Sequence, residues 1–115
     1  MSTRDTLPGR LLRKYPEGTR ILAIHAETGH GYCLHEKEMR RRSLIVEAVA
    51  SLDSMQQRVI HCRYLDAQGP RCVPWRDVAF ALYGRRCDSC EKAAYRLHRK
   101  AIAALCVEFE RLGIE

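Results

Sequence analysis

The stretch PWRDVAFALYGRRCDSCEKAAYRLHRKAIAAL, residues 74–105, decides how this chain is read. Pro74 suits the first position of a helix, where its missing N–H costs nothing. Trp75, Val78, Ala79 and Leu82 follow at i, i+3, i+4 and i+7, a core stripe on a short helix ending at Tyr83. Gly84 fits the left-handed stop after it. Asp88 and Glu91 have the N-cap and N3 spacing of a capping box, with Asp in the usual Ser/Thr place. A long helix is expected from Ser89 to about Leu112. On its wheel Ala94, Leu97, Ala101, Leu105, Phe109 and Leu112 share one face. Ser89, Lys92, Arg96, Arg99 and Lys100 share the other, with Tyr95 on the flank.

The cations crowd the first half of that helix, beside Arg85 and Arg86. The helix dipole disfavours positive charge there unless an anion compensates it. Two helices joined by a turn, the second presenting basic residues early, describe a helix-turn-helix. The expected phosphate-facing set is Arg85, Arg86 and Lys92, with Trp75 and Arg76 at the start of the supporting helix. The expected groove-facing set is Ser89, Lys92, Arg96 and Arg99. Arginine reads guanine edges bidentately, and Ser and Lys serve bases or phosphates. The competing reading makes the same face the solvated side of an ordinary helical bundle.

Cys87 and Cys90 have the C-x-x-C spacing of a metal knuckle, with His98 nearby. A structural zinc needs four ligands, usually two local pairs. Only one such pair exists; a second would need scattered residues such as Cys72, Cys33, His30 or His35. Cys90 lies four residues before Ala94 and seven before Leu97, on the apolar face, and reads as a small core hydrophobe. No metal is expected.

Working outward, Met55, Val59 and Cys62 make the stripe of a helix that Asp53 or Ser54 caps and that runs to about Leu65. Residues 66–74 form a loop with Gly69, Pro70 and Pro74. From Glu36 to Leu52 the chain lacks Gly and Pro, and Leu44, Ile45, Ala48, Val49 and Leu52 share a side. Met39 begins its apolar surface and Arg40–Arg42 make a basic run on it. That apolar arc is wide enough for residues 36–52 to hold a homodimer. The alternative is that residues 19–28 fold back over it, using Ile21 and Ile24. In residues 19–28 Thr19 could cap a short helix or the β-branched content could make a strand; helix is expected because nothing else in the chain offers a pairing strand, and GHG at 29–31 breaks the chain. Residues 1–18, with Pro8, Gly9, Pro16 and Gly18, read as a mobile basic arm with a turn of helix near Leu11 and Leu12. The expected organisation is therefore an arm (1–18), a helical segment (19–52) and a helix-turn-helix domain (53–115), all-α throughout.

With 115 residues the chain is expected to bury one core without staples. Twenty Lys+Arg against 14 Asp+Glu give a net charge of +6, which attracts polyanions, nucleic acid first and anionic membrane second. No apolar run approaches the ~20 residues of a membrane span, and the first 18 residues lack the apolar segment of a signal peptide. A cytoplasmic, reducing setting is expected, with the six cysteines as free thiols. No nucleophile–base set, carboxylate pair or phosphate-binding Gly loop stands out, so a non-catalytic role without a cofactor is expected.

LDSMQQRVIHCRYLD (52–66), VPWRDVAFALYG (73–84) and YRLHRKAIAAL (95–105) together resemble region four of bacterial sigma factors. Leu52, Arg58, Val59, Arg63, Tyr64, Trp75, Val78, Ala79, Leu82, Tyr95, Arg96, Ala101 and Leu105 carry the likeness. The pattern is closer still to small phage-encoded transcriptional regulators of the ArpU/RinA type. The resemblance covers residues 52–105. It implies double-stranded DNA as the partner, promoter-region binding, and a contact to RNA polymerase. The turn from Gly84 to Asp88 and the loop at 66–74 are both longer than the sigma pattern. Two other readings stand beside it: a phage small terminase subunit, which also uses helix-turn-helix domains, and a protein-interaction module gripping an acidic partner.

Overall fold

A computed structural model describes the backbone of residues 5–28 and 32–115, and the side chains of 5–22 and 36–115. The described residues form five α-helices and no strand: α1 Leu7–Thr28, α2 Tyr32–Ala50, α3 Ser54–Ile60, α4 Trp75–Tyr83 and α5 Asp88–Leu112. The all-α helical bundle expected from the periodicities is what the chain forms.

The largest correction is at the start. Residues 7–18 are the first half of α1, not a mobile arm. Thr6 caps the helix: its Oγ1 accepts from Gly9 N–H at 3.1 Å, and its carbonyl accepts from Arg10 N–H at 2.9 Å. Pro8 falls in the first turn, where no intrahelical donor is needed. Pro16 lies mid-helix and removes the N–H that would reach the Leu12 carbonyl, a defect of about 3 kcal/mol in isolation. Tertiary packing offsets it. Leu12 is fully buried in the shared core and Pro16 is buried beside it.

Arg42 of α2 strengthens this docking. Its guanidinium lies 3.5 Å above the Tyr15 ring, and Nη1 donates to the Tyr15 carbonyl at 3.1 Å. Nη2 donates to Thr19 Oγ1. Arg42 is therefore a buried packing residue rather than part of a basic surface run. Arg40 stays exposed, and Arg41 pairs with Glu38 at 3.5 Å. On α2, Ile45, Ala48 and Val49 are buried in the shared core, to which α5 contributes more of the packing than α1 does. Much of the arc on which a homodimer was expected is thus buried within the chain itself, while Met39 and Val46 remain exposed. The GHG break lies outside the described residues.

The α2–α3 corner follows the expected cap. Asp53 accepts from Gln56 N–H at 2.8 Å, and Gln57 Nε2 donates back to the Leu52 carbonyl at 2.7 Å. Helix α3 ends in a π-type turn, His61–Leu65, with Asp66 N–H donating to the His61 carbonyl at 2.9 Å. Residues 66–74 form the expected loop, and Val73 N–H donates to the Arg63 carbonyl at 2.9 Å.

Helix α5 touches all four other helices. Ala94, Ala101, Leu105 and Phe109 of the predicted stripe are each at most 1% exposed and form the spine of the core, joined by Ile102, which the stripe did not include. Leu97 and Leu112 pack at its edge. Gly113 stops the helix at φ 69°, and Ile114 N–H reaches back to the Phe109 carbonyl at 2.9 Å, a Schellman end. One continuous core runs from Leu12 to Ile114, so packing does not separate residues 19–52 from 53–115.

Candidate nucleic-acid interface

Helix α4 begins at Trp75, one residue later than expected, with Pro74 as its N-cap. Gly84 ends it at φ 74°, a conformation in which a Cβ is strained. Helix α5 begins at Asp88, so Gly84, Arg85, Arg86 and Cys87 form a four-residue turn. That length is usual for a helix-turn-helix, and it corrects the expectation of an overlong turn. The reason is the cap. Cys87, in extended backbone at φ −135°, precedes the helix and accepts Glu91 N–H on its carbonyl at 3.0 Å. Asp88 therefore occupies the first helical position, and the expected Asp88/Glu91 capping box does not form. Both carboxylates still lie in the first turn, where they suit the dipole.

Arg76, Arg85, Arg86, Ser89, Lys92, Tyr95, Arg96, Arg99 and Lys100 are all exposed. Ser89, Lys92, Arg96, Arg99 and Lys100 occupy the face of α5 opposite buried Ala94 and Ala101. Among the described residues, Arg76, Arg85, Lys92, Arg96, Arg99 and Lys100 form no ion pair with a carboxylate. Arg86 differs. Its Nε lies 3.4 Å from Asp77 Oδ1, and its guanidinium lies 4.0 Å above the Phe80 ring. It is tethered to α4 while staying at the surface.

Trp75, one of the expected contact residues, is packed rather than fully exposed. It is half-buried, with its ring edge-on to Tyr95 at 5.4 Å and to His98 at 4.9 Å. The Arg63 guanidinium lies 4.5 Å from its ring centroid and also donates to the Val73 carbonyl. Trp75 instead forms one wall of a 370 Å³ depression lined by Glu91, Lys92, Tyr95 and Arg96. Its packing sets how α4 meets α5 beside the exposed cations.

The residues that position this face were only partly legible as such. Tyr64 Oη and His98 Nε2 share a buried hydrogen bond of 2.6 Å. Burial, followed by the charge of Arg63, holds the His98 imidazole down at about 4, so it stays neutral near pH 7. The same burial raises the Tyr64 phenol. His98 follows Ala94 by four residues and precedes Ala101 by three, so its place on the core face could have been found from spacing. Arg58 Nη2 donates to the Ala81 carbonyl at 3.3 Å, tying α3 to the last turn of α4.

Cys90 is partly buried but not among the core residues; its Sγ lies 2.9 Å from Cys87 Sγ. Among the described residues no group of three or more Cys, His, Asp or Glu converges as a metal site. Cys33, His30 and His35 lie outside the described side chains. Among the described residues no helix is long and apolar enough to cross a membrane. Comparisons with protein-family models, with curated proteins and with solved structures find no match for this chain.

Proposed function

We propose that the chain is a sequence-specific, double-stranded-DNA-binding regulator of transcription in which α5 is the recognition helix and α4 its support. One observation carries the reading. A four-residue turn delivers a helix whose first half exposes Lys92, Arg96, Arg99 and Lys100, unpaired, opposite a fully buried alanine stripe. Like charges held together on a helix start gain most from a polyanion. Arg96 and Arg99 face base edges in this reading; Arg76, Arg85, Arg86 and Lys92 face phosphates. The likeness to sigma region four and to phage regulators extends the proposal to promoter DNA and to a contact with RNA polymerase.

Selection of the full chain against a random duplex library tests it. Enrichment of a defined motif is the expected result. Binding with no sequence preference would reduce the proposal to a non-specific DNA binder. No duplex binding at low salt, alongside binding to an acidic polypeptide such as polyglutamate, would favour the protein-interaction reading.

A further inference from the structure

Cys87 and Cys90 differ from the other described cysteines. Cys87 precedes α5 in extended backbone, and Cys90 is the third residue of the helix. This places both thiols on one side of the first turn, with the sulfurs 2.9 Å apart. A disulfide bond is about 2.05 Å long, so closure needs less than about 1 Å of side-chain movement. Neither thiol is buried in the core; both are partly accessible. Cys62 and Cys72, by contrast, pack against the core, and burial raises the pKa of each.

The two thiols are also unequal. Cys87 is lowered to about 7 by the hydrogen bond with Cys90, then by Ser89 Oγ at 3.3 Å and the Cys90 backbone N–H, with Arg85 adding a smaller effect. Cys90 is raised, first by its hydrogen bond to Cys87. The thiolate is the attacking species, so Cys87 is the nucleophile and Cys90 the resolving thiol.

We propose that Cys87 and Cys90 form a redox-active dithiol that closes reversibly to a disulfide across the first turn of α5, by exchange with a small-molecule disulfide of the glutathione class. In the first step the Cys87 thiolate attacks one sulfur of oxidised glutathione. A mixed disulfide forms and one glutathione thiolate leaves. Cys90 then loses its proton to solvent and attacks Cys87 Sγ, releasing the second glutathione thiolate. The protein gives up two electrons, and the small disulfide becomes two thiols. Reduced glutathione reverses both steps. The site lies in the turn that carries Arg85 and Arg86. Closure therefore removes the negative charge that the Cys87 thiolate holds among those cations. The dithiol rests on its own geometry and not on the DNA reading.

The test equilibrates the reduced full chain, with a chelator present, in buffers of graded reduced-to-oxidised glutathione ratio. Acid quenching, intact mass and peptide mapping follow. The expected product has lost about 2 Da and maps to a Cys87–Cys90 bond. Cys90→Ser should accumulate a glutathione adduct on Cys87, and Cys87→Ser should abolish the closed product. In the folded wild type, iodoacetamide at pH 7 should label Cys87 about tenfold faster than Cys62 or Cys72. A stable glutathione adduct on wild-type Cys87, a disulfide mapping to other cysteines, or equal labelling rates would overturn the proposal.

Discussion

Lowering the pH from 7 to 5 should destabilise this protein through His98 before its carboxylates matter. The imidazole is 4% exposed, enclosed by Trp75, Tyr95 and Tyr64, and bonded through Nε2 to Tyr64 Oη at 2.6 Å. Its Nδ1 is buried without a partner. Protonation makes both ring nitrogens donors and leaves a charged N–H orphaned near the Arg63 guanidinium. The folded-state value is accordingly lowered from 6.5 to about 4. A lowered folded value means the unfolded chain takes the proton first. The contribution is complete above pH 6.5 and is lost as pH falls from 6.5 toward 4. At about 1.4 kcal/mol per pH unit, the full loss is about 3 kcal/mol, of which about 2 kcal/mol appears between pH 7 and pH 5. Urea unfolding of the wild type and of His98→Gln at both pH values isolates it, since glutamine keeps a polar partner for Tyr64 but does not titrate. Wild type should lose about 2 kcal/mol more than the variant over that interval. Equal losses in the two proteins would refute the buried neutral imidazole.

Phe109→Ala should cost about 3–5 kcal/mol, read as a lower urea midpoint, because the ring, in the last turn of α5, is 1% exposed within the core. Gly84→Ala should cost about 1 kcal/mol from backbone strain alone: φ is 74° and nothing lies within 4 Å of the added Cβ. Asp53→Ala should remove about 1 kcal/mol with the α3 cap, measured the same way. Arg42→Met should lower the thermal midpoint by disturbing α1 docking while leaving duplex affinity unchanged, since Arg42 is spent on Tyr15 and Thr19.

Local signals made the second half of the chain readable. Gly84 and Asp53 act as the stop and cap their chemistry suggests, and the Ala94–Phe109 spacing marks the buried side of α5. The polar face of α5 was legible for the same reason, because exposure follows from the wheel once the core side is known. Residues 7–18 misled because Pro8, Gly9, Pro16 and Gly18 are local breakers, whereas burial of Leu12 and the grip of Arg42 on Tyr15 come from residues far along the chain. The start of α5 shifted by one residue because Cys87, not Asp88, takes the extended cap geometry. The cluster of Arg63, Tyr64, Trp75 and His98 could not be assembled from periodicity. It depends on how the 66–74 loop returns to Arg63.

Whether the exposed cations of α5 read a duplex is measured by a single titration. Fluorescence anisotropy would follow a selected duplex and a scrambled one against wild type and the Arg96→Ala/Arg99→Ala double variant, at several salt concentrations. The double variant should lose roughly 30- to 10⁴-fold on the selected duplex and much less on the scrambled one. Wild type should show a log–log salt slope of about −3.6 if Arg76, Arg85, Arg86 and Lys92 meet four phosphates. Full affinity and full discrimination in the double variant would contradict the assignment of α5 as the recognition helix.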